Sequence, residues 1–146
     1  MKQTKQIKIR DVLVGGGAPV VIQSMTNTDT RDAAATLAQI RALAEAGCEV
    51  VRCAVPDEQA AQTLREICAH SPLPVVADIH FDYRLALESI EAGVDKIRLN
   101  PGNIGGEDRV QAVVQAAKAR RIPIRIGVNS GSVEKSILAQ YGGPTP

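Results

Sequence analysis

The stretch Glu45-Ala46-Gly47-Cys48-Glu49-Val50-Val51-Arg52 returns, type for type at most positions, as Glu91-Ala92-Gly93-Val94-Asp95-Lys96-Ile97-Arg98. Each copy reads as a helix end, a glycine stop and a strand that carries an arginine. One more strand and helix lie between the copies, so a strand-plus-helix unit is about 23 residues long. Units of this kind build a parallel sheet, because each helix returns the chain to the end where the next strand begins.

The rest of the chain follows the same rhythm. Helices are expected from Asp32 to Ala46, from Pro56-Asp57 to Ser71, from Asp82 to Gly93 and from Glu107 to about Arg121. Apolar residues recur at helical spacing, as in Leu37, Ile40 and Leu43, or Ala60, Ala61, Leu64, Ile67 and Cys68. Strands are expected from Val50 to Val55, Val75 to His80, Lys96 to Asn100 and Ile124 to Asn129. Pro101 to Gly106 reads as a glycine-rich loop with exposed backbone N–H groups. Upstream, Ile7 to Val14, a turn at Gly15-Gly16-Gly17, and Ala18 to Met25 read as a hairpin feeding into a strand. Val20-Val21-Ile22 is its apolar part, and Gln23 to Thr28 reads as a polar loop. The glycine run lacks the Lys-Ser/Thr of a phosphate loop and is followed by a strand, so it reads as a turn. No GxGxxG follows the first strand, which argues against a dinucleotide-binding sheet. The expected fold is α/β: a partial TIM (β/α)8 barrel of about five βα units behind an N-terminal β-hairpin. A whole barrel needs eight strands and about 200 residues or more, so residues 1–146 are expected to be the N-terminal part of a barrel domain.

Composition narrows the function. A net charge of +1 and 2% aromatic residues, with no Trp, speak against nucleic-acid binding. MKQTKQIKIR is basic but has no apolar run behind it, so neither a signal peptide nor a membrane span is expected. Three cysteines, Cys48, Cys53 and Cys68, form no CxxC pair and read as buried reduced thiols of a cytoplasmic protein.

Chemistry in such a barrel gathers where strands end. The expected strands deliver Arg52, then Asp78 and His80, then Arg98 and Asn100, then Arg125 and Asn129. Within a strand these residues lie two or four positions apart and share a face, while Ile79, Leu99, Ile126 and Val128 are expected to face the helices. Three arginines against one carboxylate and one imidazole call for an anion with several oxygens, and arginine forks match phosphate. The residues alone thus point to a phosphate or diphosphate ester at the barrel mouth, with His80 and Asp78 nearest the chemistry. Helix-borne charges such as Arg41, Glu45, Arg65, Glu66, Lys118 and Arg120 read as a solvated face. Two other readings stay open: another phosphate-binding barrel, such as a pterin-binding synthase, or a non-catalytic half-barrel that only binds or assembles.

IQSMTNT (Ile22–Thr28), VADIHFDYRLAL (Val76–Leu87), IRLNPGNIG (Ile97–Gly105) and IPIRIGVNSGS (Ile122–Ser132) resemble the 4-hydroxy-3-methylbut-2-enyl diphosphate synthase family. The resemblance runs over essentially all 146 residues, down to the loop from Tyr141 to Pro146. It implies an iron–sulfur oxidoreductase of the methylerythritol phosphate route to isoprenoids. That enzyme reductively opens 2-C-methyl-D-erythritol 2,4-cyclodiphosphate. The resemblance further implies a homodimer, a flavodoxin or ferredoxin as electron donor, and a [4Fe-4S] cluster on a separate C-terminal domain. On the matching positions Arg52, Asp78, His80, Arg98, Asn100, Arg125 and Asn129 are implied to contact the substrate. The cysteines here do not stand in the family's cluster motif, so no metal is expected in this chain and no turnover from it alone.

Overall fold

The computed structural model describes residues 4–129, 131, 133 and 135–143. Ser130 and Ser132 of the last motif, and Pro144, Thr145 and Pro146 of the closing loop, lie outside the described residues.

The chain opens with a hairpin of β1 (Ile7–Ile9) and β2 (Val12–Val14), paired antiparallel. Its turn is at Arg10-Asp11, with Arg10 at φ 52°, and not at the expected Gly15-Gly16-Gly17. The triglycine instead bends the chain off the hairpin. A Cβ at Gly16 would stand 2.6 Å from Gln6 Cβ, so only glycine fits there.

Five parallel strands follow: β3 (Gln23–Met25), β4 (Val50–Ala54), β5 (Val75–Ile79), β6 (Lys96–Leu99) and β7 (Ile124–Ile126). They lie side by side in chain order, without the reversal that marks a doubly wound sheet. Every crossover therefore steps the same way, as in a barrel wall. The polar stretch Gln23 to Met25, expected as loop, is the strand that pairs with β4. The apolar Val20 and Ile22 before it are exposed. At a sheet edge the ladder is made by backbone groups, so apolar pattern is a poor guide to where pairing begins.

The connecting helices are α1 (Ala33–Glu45), α2 (Glu58–His70), α3 (Tyr83–Ala92) and α5 (Glu107–Arg120). Asp32, Asp57 and Asp82 cap the first three, each accepting a first-turn backbone N–H at 2.9 Å. Gly93 closes α3 in the left-handed region, at φ 99°. The expected Pro101 loop contains a single helical turn, α4 (Pro101–Ile104), because Asn100 caps it and Pro101 presets its first residue. A last helix, α6 (Lys135–Tyr141), was not foreseen from the sequence. No helix among the described residues is long and apolar enough to cross a membrane.

Two apolar clusters divide the strand residues by face. Val51, Cys53, Val75, Ala77, Ile79, Ile97 and Leu99 pack under the helices with Ile40, Leu64, Ile67, Ile90 and Val113. The alternate residues Val50 and Val76 meet Ile9 of the hairpin on the opposite face. The hairpin thus floors the N-terminal end of the sheet's inner face. Arg10 holds it there: its guanidinium forks onto Asp95, at 3.3 and 3.1 Å, and reaches the Ser71 carbonyl at 3.3 Å. Ile126 and Val128, expected to face helices, are 58% and 50% exposed. They lie on or just past β7, which pairs only with β6 among the described residues.

Candidate functional site

Above the hairpin floor, the inner face turns from apolar to charged within one pleat. Val50 gives way to Arg52 and Val76 to Asp78, while β6 carries Lys96 and then Arg98 on this face. Asp78 and Arg98 are cross-strand partners, and Arg125 is in register with Arg98. Parallel register thus sets Asp78, Arg98 and Arg125 in one row.

Asp78 is the centre of this row. It is 2% exposed, yet both carboxylate oxygens are engaged. Oδ1 accepts from Arg98 Nη1 at 3.1 Å, and Oδ2 lies 3.4 Å from Arg52 Nε. His80 Nε2 is 3.7 Å from the same Oδ2, at the half-exposed strand end. One buried carboxylate thus orients two guanidiniums and stands beside an imidazole, which keeps the buried charge paired. The remaining N–H groups of both forks are donors for oxyanions.

Two contacts that the residue pattern did not disclose refine the arginines' positions. Arg52 sends Nε and Nη2 toward Met25 Sδ, at 3.3 and 3.2 Å, so the end of β3 steers it. Arg98 lies against Gly127, where a Cβ would come 2.6 Å from its Nε, and its Nη2 reaches the Gly127 carbonyl at 3.5 Å. Behind Met25 the IQSMTNT loop is tied down by hydroxyls. Thr26 bonds to the Arg52 carbonyl, Thr30 to that of Ala54 at 2.7 Å, and Thr28 to Thr36 at 2.9 Å.

The other expected site residues are placed less centrally. Arg125 is exposed on β7, beside Arg98. Asn100 is buried, and its Oδ1 accepts from Gly102 N at 3.2 Å as the cap of α4. Asn129 is exposed, past the end of β7. Lys96 stands on the same face of β6 as Arg98, two residues earlier.

The cysteines fit an iron–sulfur cluster poorly. Cys48 and Cys53 are buried, and the Cys48 thiol is directed at the Val50 carbonyl at 3.1 Å. Burial pushes the Cys53 thiol up and, with the Asp95 charge, that of Cys68 to about 12, whereas cluster ligands must be thiolates. Among the described residues no three His, Cys, Asp or Glu side chains are grouped to hold a metal.

A family model and the curated relatives point to one family. A family model described as the GcpE TIM-barrel domain matches residues 4–146. The chain is 66% identical over 145 residues to a 4-hydroxy-3-methylbut-2-en-1-yl diphosphate synthase (flavodoxin) of Maridesulfovibrio salexigens, covering 99% of this chain and 40% of that protein. It is 62% identical over 143 residues to the protein of the same name from Ruminiclostridium cellulolyticum, again covering 40% of it. The chain therefore spans about 40% of the length of these curated relatives. Among solved structures, the dihydropteroate synthase of Yersinia pestis superposes with a TM-score of 0.63 at 11% identity, covering 94% of this chain and 52% of that one. At that identity the likeness speaks for the fold alone.

Proposed function

The chain belongs to the GcpE TIM-barrel domain family, and from that premise we propose that it is the diphosphate-binding, N-terminal barrel portion of a 4-hydroxy-3-methylbut-2-en-1-yl diphosphate synthase. The substrate on this reading is 2-C-methyl-D-erythritol 2,4-cyclodiphosphate, and the setting is isoprenoid biosynthesis in the cytoplasm. The observation that carries it is the Asp78 hub, which aims Arg52 and Arg98 together and leaves their outer N–H groups for an anion.

Each residue then has a separable task. Arg52 and Arg98 fork onto diphosphate oxygens, and Arg125 extends the cationic row on the next strand. Asp78 fixes the two guanidiniums before the substrate arrives, so little ordering is left to do on binding. His80 stands at the rim as the group to hand a proton to a departing oxygen. Asn100 and Asn129 add polar contacts at the mouth. The cysteines do not fit a cluster, so no electron-transfer step is assigned to these residues. The [4Fe-4S] cluster, the flavodoxin or ferredoxin that feeds it, and the homodimer belong to the assembled enzyme, and this segment alone does not turn over.

Equilibrium titration of the full-length protein with the cyclodiphosphate tests the reading. Arg98→Ala and Arg125→Ala each lose charge-assisted hydrogen bonds worth about 1.5–3 kcal/mol, so affinity falls roughly ten- to hundredfold. Parent-like affinity in both variants would sink it.

A further inference from the structure

Met25 is the last residue of β3 and the cross-strand partner of Arg52, so both side chains leave the sheet on its inner face. Their backbones are tied at that point. The Thr26 N–H donates to the Arg52 carbonyl at 3.0 Å, and the Thr26 hydroxyl reaches the same oxygen at 3.4 Å. On this base the guanidinium lies along the thioether. Nε–H and Nη2–H of Arg52 both donate to Met25 Sδ, at 3.3 and 3.2 Å. Asp78 Oδ2 stands 3.4 Å from the same Nε. Arg52 is thus set from two sides, by a charge on β5 and by a neutral sulfur on β3.

The edge that the sulfur takes is the one an anion needs. Nε–H and Nη2–H are parallel donors in one plane, and such a pair matches two oxygens of one phosphate group. A carboxylate in the sulfur's place would hold this edge firmly and cancel its charge. A thioether is a weak, polarisable acceptor on a side chain with three rotatable bonds. It keeps the edge aligned and still loses it to a charged oxygen. An arginine with no such guide would have to be immobilised when the ligand arrives, and that ordering is subtracted from affinity.

We propose that Met25 is a positioning residue of the anion site: its sulfur aligns the Nε–Nη2 edge of Arg52 before the ligand binds, and gives that edge up to two oxygens of a diphosphate. The inference rests on the anion-site reading and deepens it, because it says which edge of Arg52 meets the ligand. Asp78 holds the guanidinium's charge in place, and the sulfur sets the direction in which its two N–H groups point. On binding, only the acceptor of those two hydrogen bonds is exchanged.

The test uses the full-length protein, with inorganic pyrophosphate as the probe. Met25→Leu and Met25→Ile keep an apolar side chain of similar size and remove the acceptor. Each is titrated alone and combined with Arg52→Lys, which keeps a charge beside Asp78 and lacks the planar edge. Arg98→Met serves as a reference, and each ligand-free protein is melted. Met25→Leu and Met25→Ile are expected to bind pyrophosphate roughly three- to tenfold more weakly, the cost of ordering one long side chain. Their salt dependence should match the parent's, since no charge is lost. In the Arg52→Lys background the same substitutions should cost nothing further, because the edge through which Met25 acts is gone. Parent-like affinity in both Met25 variants would overturn the inference. So would an equal loss in the two backgrounds, or failure of both variants to fold, since the Met25 side chain would then serve packing. If Arg52→Lys and Arg98→Met lose affinity while the Met25 variants do not, the anion site stands and only the role of Met25 falls. If Arg52→Lys and Arg98→Met bind as the parent does, both readings fall.

Discussion

Asp78 shows how much one side chain can organise. It is buried, sits on the central strand β5, and holds guanidiniums from β4 and β6 at once. Such an arrangement stores positive charge without letting it wander, and the row is therefore shaped before any anion binds. The neighbouring Gly127 gives a way to disturb this shape and little else. The three atoms nearest to a Cβ there, at 2.6–3.0 Å, all belong to the Arg98 guanidinium, the flexible end of a side chain. Gly127→Ala should therefore push Arg98 aside while leaving the fold almost unchanged. Pyrophosphate affinity is expected to drop roughly tenfold, about 1.4 kcal/mol, with a melting temperature close to the parent's. A variant that binds normally would show that the close contact does not set the position of Arg98.

Helix α3 carries the His80 loop at its start and packs against α2. On the face between them Glu88 lies in a cleft with Glu58, Gln62, Arg65 and Glu91. This cleft is on the outer side of the sheet and contains none of the residues proposed to hold the anion. Glu88 Oε2 is buried and has no hydrogen-bond partner among the described residues. Burial first, then the charge of Glu58, raises the Glu88 pKa above the ordinary carboxylate value. A carboxyl whose pKa is higher folded than unfolded binds its proton more tightly in the fold, so stability falls as pH rises through that raised value. Glu88→Gln removes the charge and keeps the shape. It should raise the melting temperature at neutral pH, by a stability gain of up to about 1 kcal/mol. The gain should vanish below the ordinary carboxylate range, where Glu88 is protonated in both states. An unchanged or lowered melting temperature at neutral pH would show that the oxygen is satisfied.

For the whole chain, the hairpin and the sheet edges matter most. Arg10 is the tie between hairpin and sheet, and its partner Asp95 also accepts the Val75 N–H at 2.8 Å. Arg10→Met breaks a two-pronged, charge-assisted contact to Asp95, which is 15% exposed with Arg10 in place, and leaves that carboxylate half-used. A stability loss of about 1–3 kcal/mol is expected, together with faster hydrogen exchange in β1 and β2. Loss of stability with hairpin amides still protected would mean that the Ile9 cluster alone seats the hairpin. The sheet itself has β3 at one edge and β7 at the other among the described residues, with an inner face whose upper part is charged. Paired to one neighbour only, such edges invite further strands. The 146-residue segment by itself is therefore expected to self-associate, and light scattering should give a mass above the 15.5 kDa of one copy. A monodisperse, cooperatively folding monomer would argue against an open half-barrel.

The alternation of the four main helices with β4 to β7, three helix caps and the faces of most strands are legible along the chain, because they depend on near neighbours. Asp32, Asp57 and Asp82 cap helices from within three residues, and glycines stop helices at their own φ. The returning Glu-Ala-Gly-x-x-x-x-Arg stretch set Arg52 and Arg98 on equivalent strands, and period-two alternation put Asp78 on their face. Which side chains touch is set by the packing of distant segments. Which residues of adjacent strands lie side by side depends on how the helices seat the strands, and that register sets Asp78 against Arg98 and Arg98 against Arg125. The same holds for the polar strand β3, the turn at Arg10-Asp11 and the exposure of Ile126.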